Sequence, residues 1–69
     1  MDVIWADGAE IAVRIEGGAV TVSANREGLR SLARQFAALA EGAPGDHIHY
    51  EACNALEDGS AEMIVERVP

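Results

Sequence analysis

The stretch from Asn25 to Gly42, NREGLRSLARQFAALAEG, constrains this chain more than any other. Leu29, Leu32, Ala33, Phe36, Leu39 and Ala40 recur at three- and four-residue steps, while Glu27, Ser31, Gln35 and Ala38 fall on the other side. That is the period of an amphipathic helix. Asn25 is a suitable N-cap because its side-chain oxygen can accept from an unpaired N–H of the first turn, and Glu27 sits where the helix dipole favours an anion. Gly42, Pro44 and Gly45 supply the stop. One helix cannot bury its own apolar stripe, so the flanking segments must cover it.

Before the helix, Glu10 to Glu16 alternates strictly, with Ile11, Val13 and Ile15 on one face and Ala12, Arg14 and Glu16 on the other. This is the pattern of a half-buried strand. Gly17-Gly18 suits a tight hairpin turn, and Val20 and Val22 return the apolar face on a second strand with Thr21 facing away. Met1 to Ala6, which holds Val3, Ile4 and Trp5, is expected to begin or extend a strand, with Trp5 covering one end of the core. Asp7-Gly8 marks a turn or bulge.

After the helix, Asp46 to Glu51 alternates again: Ile48 and Tyr50 share one face, His47, His49 and Glu51 the other. Asp58-Gly59 is a turn signal, and Ala61 to Val68 reads as a final strand. Its consecutive Met63, Ile64 and Val65 suit a strand that is covered on both sides or central. The order strand, strand, helix, strand, strand predicts a single small α+β domain over residues 1–69 (ββαββ). In it a four-stranded, largely antiparallel sheet carries one helix packed on one face. The opposite sheet face would present Arg14, Thr21, His47, His49 and Glu62 or Glu66, which is too polar for a second core.

Twelve acids against five arginines, with no lysine, give a formal charge of −7. This disfavours nucleic acid, whose binding depends on neutralised phosphates, and favours a basic partner steered by charge. The alternative reading is that the acidity serves solubility. No apolar run approaches the roughly 20 residues of a membrane span, and the N-terminus lacks the pattern of a signal peptide. A cytoplasmic location without membrane contact is therefore expected, and a single cysteine, Cys53, agrees with a reducing compartment.

His47 and His49 would point the same way on a strand, with Cα atoms roughly 6.5–7 Å apart. Zinc sites use this spacing, with Glu51 or Asp46 as a further donor, but nothing in the sequence demands a third ligand. Solvated or hydrogen-bonded surface histidines that contribute to binding are the preferred reading. Cys53 near these histidines lacks the accompaniment of a nucleophile site. Arg26, Arg30 and Arg34 form a basic ridge at four-residue steps, which is either a solvated flank paired with Glu27 and Glu41 or a contact for an acidic patch. No catalytic carboxylate pair, phosphate loop, dinucleotide fingerprint or HExxH motif is present. The expectation is a protein that is not an enzyme and has no cofactor.

With SANREGLRSLARQFAALA, GDHIHYE and LEDGSAEMIVERV in view, the chain resembles the bacterial immunity protein 32 family over roughly residues 20–68. The segments that carry the likeness are Asn25-Arg26-Glu27-Gly28-Leu29, His47-Ile48-His49, and the run from Leu56 to Glu66 with Gly59-Ser60. The resemblance implies an α+β fold and an antidote that binds and blocks a cognate toxin of a polymorphic toxin system, without catalysis. An acidic chain suits a basic toxin such as a nuclease, whose phosphate site it could fill. The family does not supply contact residues. The predicted outer sheet face supplies candidates instead: His47, His49, Glu51, Glu62, Glu66 and Arg14 for partner binding. The rival readings are a small homodimeric structural or regulatory module pairing through a sheet edge or helix flank, and a metal-binding module through His47 and His49.

Overall fold

The structure is a computed structural model that describes residues 5–69. Five elements follow in order: β1 (Ile11–Glu16), β2 (Ala19–Ala24), α1 (Arg26–Ala40), β3 (His47–Tyr50) and β4 (Met63–Glu66). β1 and β2 form an antiparallel hairpin whose Gly17-Gly18 turn has φ of 55° and 80°, the left-handed values that a two-residue hairpin loop requires. β3 and β4 form a second antiparallel pair. Of the expected first strand, residues 1–4 lie outside the described residues, while Trp5 and Ala6 are described and belong to no strand. Trp5 packs against the core, with its ring edge-on to Tyr50 at 5.9 Å.

The expected four-stranded sheet is not formed: the two hairpins are separate two-stranded sheets. The reason lies along the outer edge of β1. Ile11 O accepts from Glu57 N (2.8 Å), Val13 N donates to Ser60 Oγ (3.1 Å), and Val13 O accepts from Ala61 N (2.9 Å). The five residues from Glu57 to Ala61, with the Asp58-Gly59 turn among them, are spent along only the three residues from Ile11 to Val13 of β1. The regular ladder spacing is lost, and β4 begins only at Met63, beyond that edge. Three hydrogen bonds stitch the hairpins together where a ladder was expected. β4 is also neither central nor covered on both sides, since Ile64 is 53% exposed while Met63 and Val65 are half-buried.

The helix forms where the sequence placed it, but is turned differently about its axis. Its buried residues are Gly28, Ser31, Leu32, Gln35 and Leu39. Leu29 and Phe36, counted into the buried stripe, are 55% and 40% exposed. Ser31 and Gln35, assigned to the solvent side, face inward because each has a partner there: Ser31 Oγ accepts from Ala6 N (3.0 Å), and Gln35 Oε1 accepts from the Tyr50 hydroxyl (2.7 Å). A buried polar group with a hydrogen bond escapes most of its desolvation penalty. The core beneath is Ile11, Val13, Leu32, Leu39, Ile48, Tyr50 and Leu56.

The start of α1 is fixed on the first hairpin by two residues. Asn25 Oδ1 caps Gly28 N (2.9 Å) and also accepts from Glu10 N (3.0 Å), Asn25 Nδ2 donates to Gly8 O (2.7 Å), and Asn25 N donates to Glu10 O (3.1 Å). Gly28 then lies so close to the hairpin that a Cβ there would meet Glu10 O at 2.7 Å and Ile11 Cγ1 at 2.9 Å. Glycine to alanine in an exposed helix stabilises by about 1 kcal/mol. In Gly28→Ala that sign reverses, because the nearest obstacle is backbone and the helix must lift; a loss of about 1–3 kcal/mol is expected. Thermal or urea denaturation of the variant checks it, and an unchanged or raised midpoint would refute the close approach.

Candidate functional site

Four of the six nominated residues are brought together on the outer face of the second hairpin. Along β3, Ile48 and Tyr50 turn into the core while His47 and His49 stand in solvent. The register sets His47 opposite Glu66 and His49 opposite Ile64, and directly opposed residues of an antiparallel pair share a face. Glu62, two residues before Ile64, is exposed as well. The two imidazole rings meet edge to face with centroids 4.9 Å apart, and His47 Nδ1 lies 3.1 Å from Gly45 O.

The other two nominees sit differently. Glu51 leaves the end of β3 into a short turn, where its carbonyl accepts from Asn54, Ala55 and Leu56 N–H groups and its own N–H donates to Asn54 Oδ1. Asn54 also donates to His49 O at 2.9 Å, so this turn braces the end of the histidine strand. Arg14 belongs to the first hairpin and is occupied there, donating to Glu16 Oε1 (3.1 Å) and Ser23 Oγ (3.3 Å). The shared sheet face that would have joined Arg14 to the histidines does not exist, because the sheet is split.

Arg14–Glu16 is the only ion pair among the described residues. Arg26, Arg30 and Arg34 stand exposed on α1, and the pairing expected for them with Glu27 and Glu41 is not made; Arg34 reaches Ser31 Oγ at 3.5 Å instead. The negative charge is therefore largely uncompensated within the molecule and projects outward. Among the described residues no group of three or more His, Cys, Asp or Glu side chains is placed to hold a metal ion. Cys53 is exposed in the turn after β3. No described helix is long and apolar enough to cross a membrane.

A second surface escaped the sequence reading. The rotation of α1 leaves an open apolar groove of about 390 Å³ lined by Val22, Leu29, Leu32, Ala33, Phe36 and Met63. Counting apolar periodicity alone assigned Leu29 and Phe36 to the interior. The available signal was the four-residue spacing of Ser31 and Gln35 with glycine at position 28, a row suited to a close, hydrogen-bonded contact.

Tyr50 anchors the hairpin from within. It is fully buried, bonded to Gln35, and flanked edge-on by Trp5 and by Phe36 at 6.3 Å. Burial pushes its phenol from 10.0 up to about 12. The folded state thus prefers the neutral phenol, so this contribution to stability is complete below pH 10 and is lost as the pH climbs from 10 through about 12. Tyr50 is the sole tyrosine, so ultraviolet titration reads it directly. The expected midpoint is near 12 in buffer and near 10 in denaturant, and coincident midpoints would show that the ring is solvated.

A family model described as immunity protein 32 matches residues 19–68. No curated protein and no solved structure matches the chain.

Proposed function

This chain belongs to the immunity protein 32 family, and from that premise we propose that it is a non-catalytic antidote that binds a cognate toxin and occludes its active site in the cytoplasm. The observation that carries the reading is the uncompensated acidity: a formal charge of −7 on 69 residues, with one ion pair among the described residues. Such a field raises the encounter rate with a basic surface and orients the approach. A toxin that handles phosphates, such as a nuclease, has a surface of this kind.

The contact face we propose is the outer side of the β3–β4 hairpin: His47, His49, Glu62 and Glu66, with Glu51 at its end and Ile64 as an apolar centre. This grouping combines acceptors for arginine and lysine with two aromatic donors, and it rests on a buried tyrosine that holds the strand in place. Arg14, engaged with Glu16 and Ser23, is the weakest of the nominated contacts.

Coexpression with the product of the adjacent open reading frame tests the proposal: growth is expected to be restored and the two proteins to copurify. Unchanged killing together with no complex overturns it. For the contact face, replacing Glu51, Glu62 and Glu66 by Gln is expected to slow association by about tenfold at low salt and to flatten its salt dependence, with a smaller change in dissociation rate. Stopped-flow or surface-binding kinetics at two ionic strengths measure both. An unaltered association rate would move the contact elsewhere.

A further inference from the structure

We propose that two copies of this chain pair through β2, joining their first hairpins into one four-stranded antiparallel sheet that draws the apolar surface beside α1 out of water. The inference concerns the protein alone and does not rest on the toxin reading.

The two edges of the first hairpin differ. Asn25 N donates to Glu10 O just past the last register pair, Ile11–Ala24, so hydrogen-bonded pairs alternate back from there through Ala12–Ser23, Arg14–Thr21 and Glu16–Ala19. The backbone groups of Ile11 and Val13 consequently point away from β2, and Glu57, Ser60 and Ala61 occupy them. Those of Val20, Val22 and Ala24 point away from β1. Among the described residues, no strand pairs with that side. One edge of the hairpin is sealed and the other is open.

The open edge has none of the usual protection. Its sequence, AVTVSA, lacks charge, proline and bulge, the devices by which edge strands avoid pairing. β2 is also the only one of the five elements without a charged or histidine residue. On a chain of charge −7 this is where a second, equally acidic copy can approach without setting carboxylates against carboxylates. A cationic protein has less reason to choose it over the acidic hairpin.

The apolar surface adjoins this edge. Val22 lines the groove with Leu29 and Phe36; Val20 and Ile15, 63% and 66% exposed, continue the same hairpin face toward the Gly17-Gly18 tip. Among the described residues, five of the seven large hydrophobic side chains that stand in solvent are thus on one side of the molecule. A stable interface covers roughly 800 Å² per partner, about a sixth of the 4566 Å² this chain exposes. Directly opposed residues of antiparallel strands share a face, so the twofold axis must pass at Thr21 or at Val22 for the apolar sides to match with the longest overlap. Either register sets Val20 opposite Val22 or Ala24 of the second copy. The uncovered tip of each hairpin then lies beside the end that its twin's helix roofs, which makes the surface self-complementary.

Sedimentation equilibrium of the untagged protein under reducing conditions is expected to give twice the chain mass at tens of micromolar; a monomer there overturns the proposal. The double substitution Val20→Lys with Leu29→Lys, at two positions more than half exposed, is expected to raise the dimer dissociation constant at least about tenfold. Far-ultraviolet circular dichroism and the melting midpoint establish that the variant is folded. As a measurement independent of that variant, Thr21→Cys and Val22→Cys, each combined with Cys53→Ser, are expected to cross-link between copies on mild oxidation at one or both positions. A dimer that neither cross-links there nor weakens with the lysines joins elsewhere and also overturns the proposal.

Discussion

The fold depends on how closely α1 can approach the first hairpin at one end. Asn25 reaches the backbone at Gly8, Glu10 and Gly28 while starting the helix, and Gly28 supplies the missing side chain that lets the two backbones meet. This contact fixes the helix rotation, and the rotation determines the rest. It turns Ser31 toward Ala6 and Gln35 toward Tyr50, seals Leu32 and Leu39 over the core, and leaves Leu29 and Phe36 at the margin. Any side chain at position 28 would meet the Glu10 carbonyl and hold the helix off the hairpin.

Much of the fold was legible in the residues, for identifiable reasons. The helix limits followed from a cap and a glycine stop, the first hairpin from alternation around Gly17-Gly18, and the outward histidines from the period of two in HIHY. What could not be read was how elements meet. Periodicity weighs side chains by hydrophobicity, so it cannot know that a serine and a glutamine have partners waiting in the interior. Nor does a strand pattern reveal whether two hairpins share a ladder. Here that was decided by five residues, from Glu57 to Ala61, occupying the edge of β1. Of the proposed contact residues, those on one hairpin came together because local alternation governs them. Arg14 did not, because its inclusion needed a sheet that spans both hairpins.

The division into two hairpins also divides the chemistry of the surface. The second hairpin presents imidazoles and carboxylates over a rigid support of Ile48 and Tyr50, and the first presents an uncharged edge and exposed valines. The chain belongs to the immunity protein 32 family, and under the function proposed above the acidic side speeds and orients the encounter with a basic partner. The apolar side answers a different need. A chain of this length buries only about 60% of the surface its unfolded form exposes, and a second copy is one way to complete what one helix leaves open. With the two surfaces on different hairpins, self-association and partner capture need not compete.

The segment that matches the family begins at residue 19, with the first residue of β2. β1 lies wholly before it, yet contributes Ile11 and Val13, both 1% exposed, to the core, and offers the edge on which Glu57, Ser60 and Ala61 are hung. The stretch that matches the family model and the stretch that builds the core thus have different limits, parted at the Gly17-Gly18 bend. A fragment trimmed to the matched residues would lack two of the most deeply buried side chains and the edge that tethers the loop before β4.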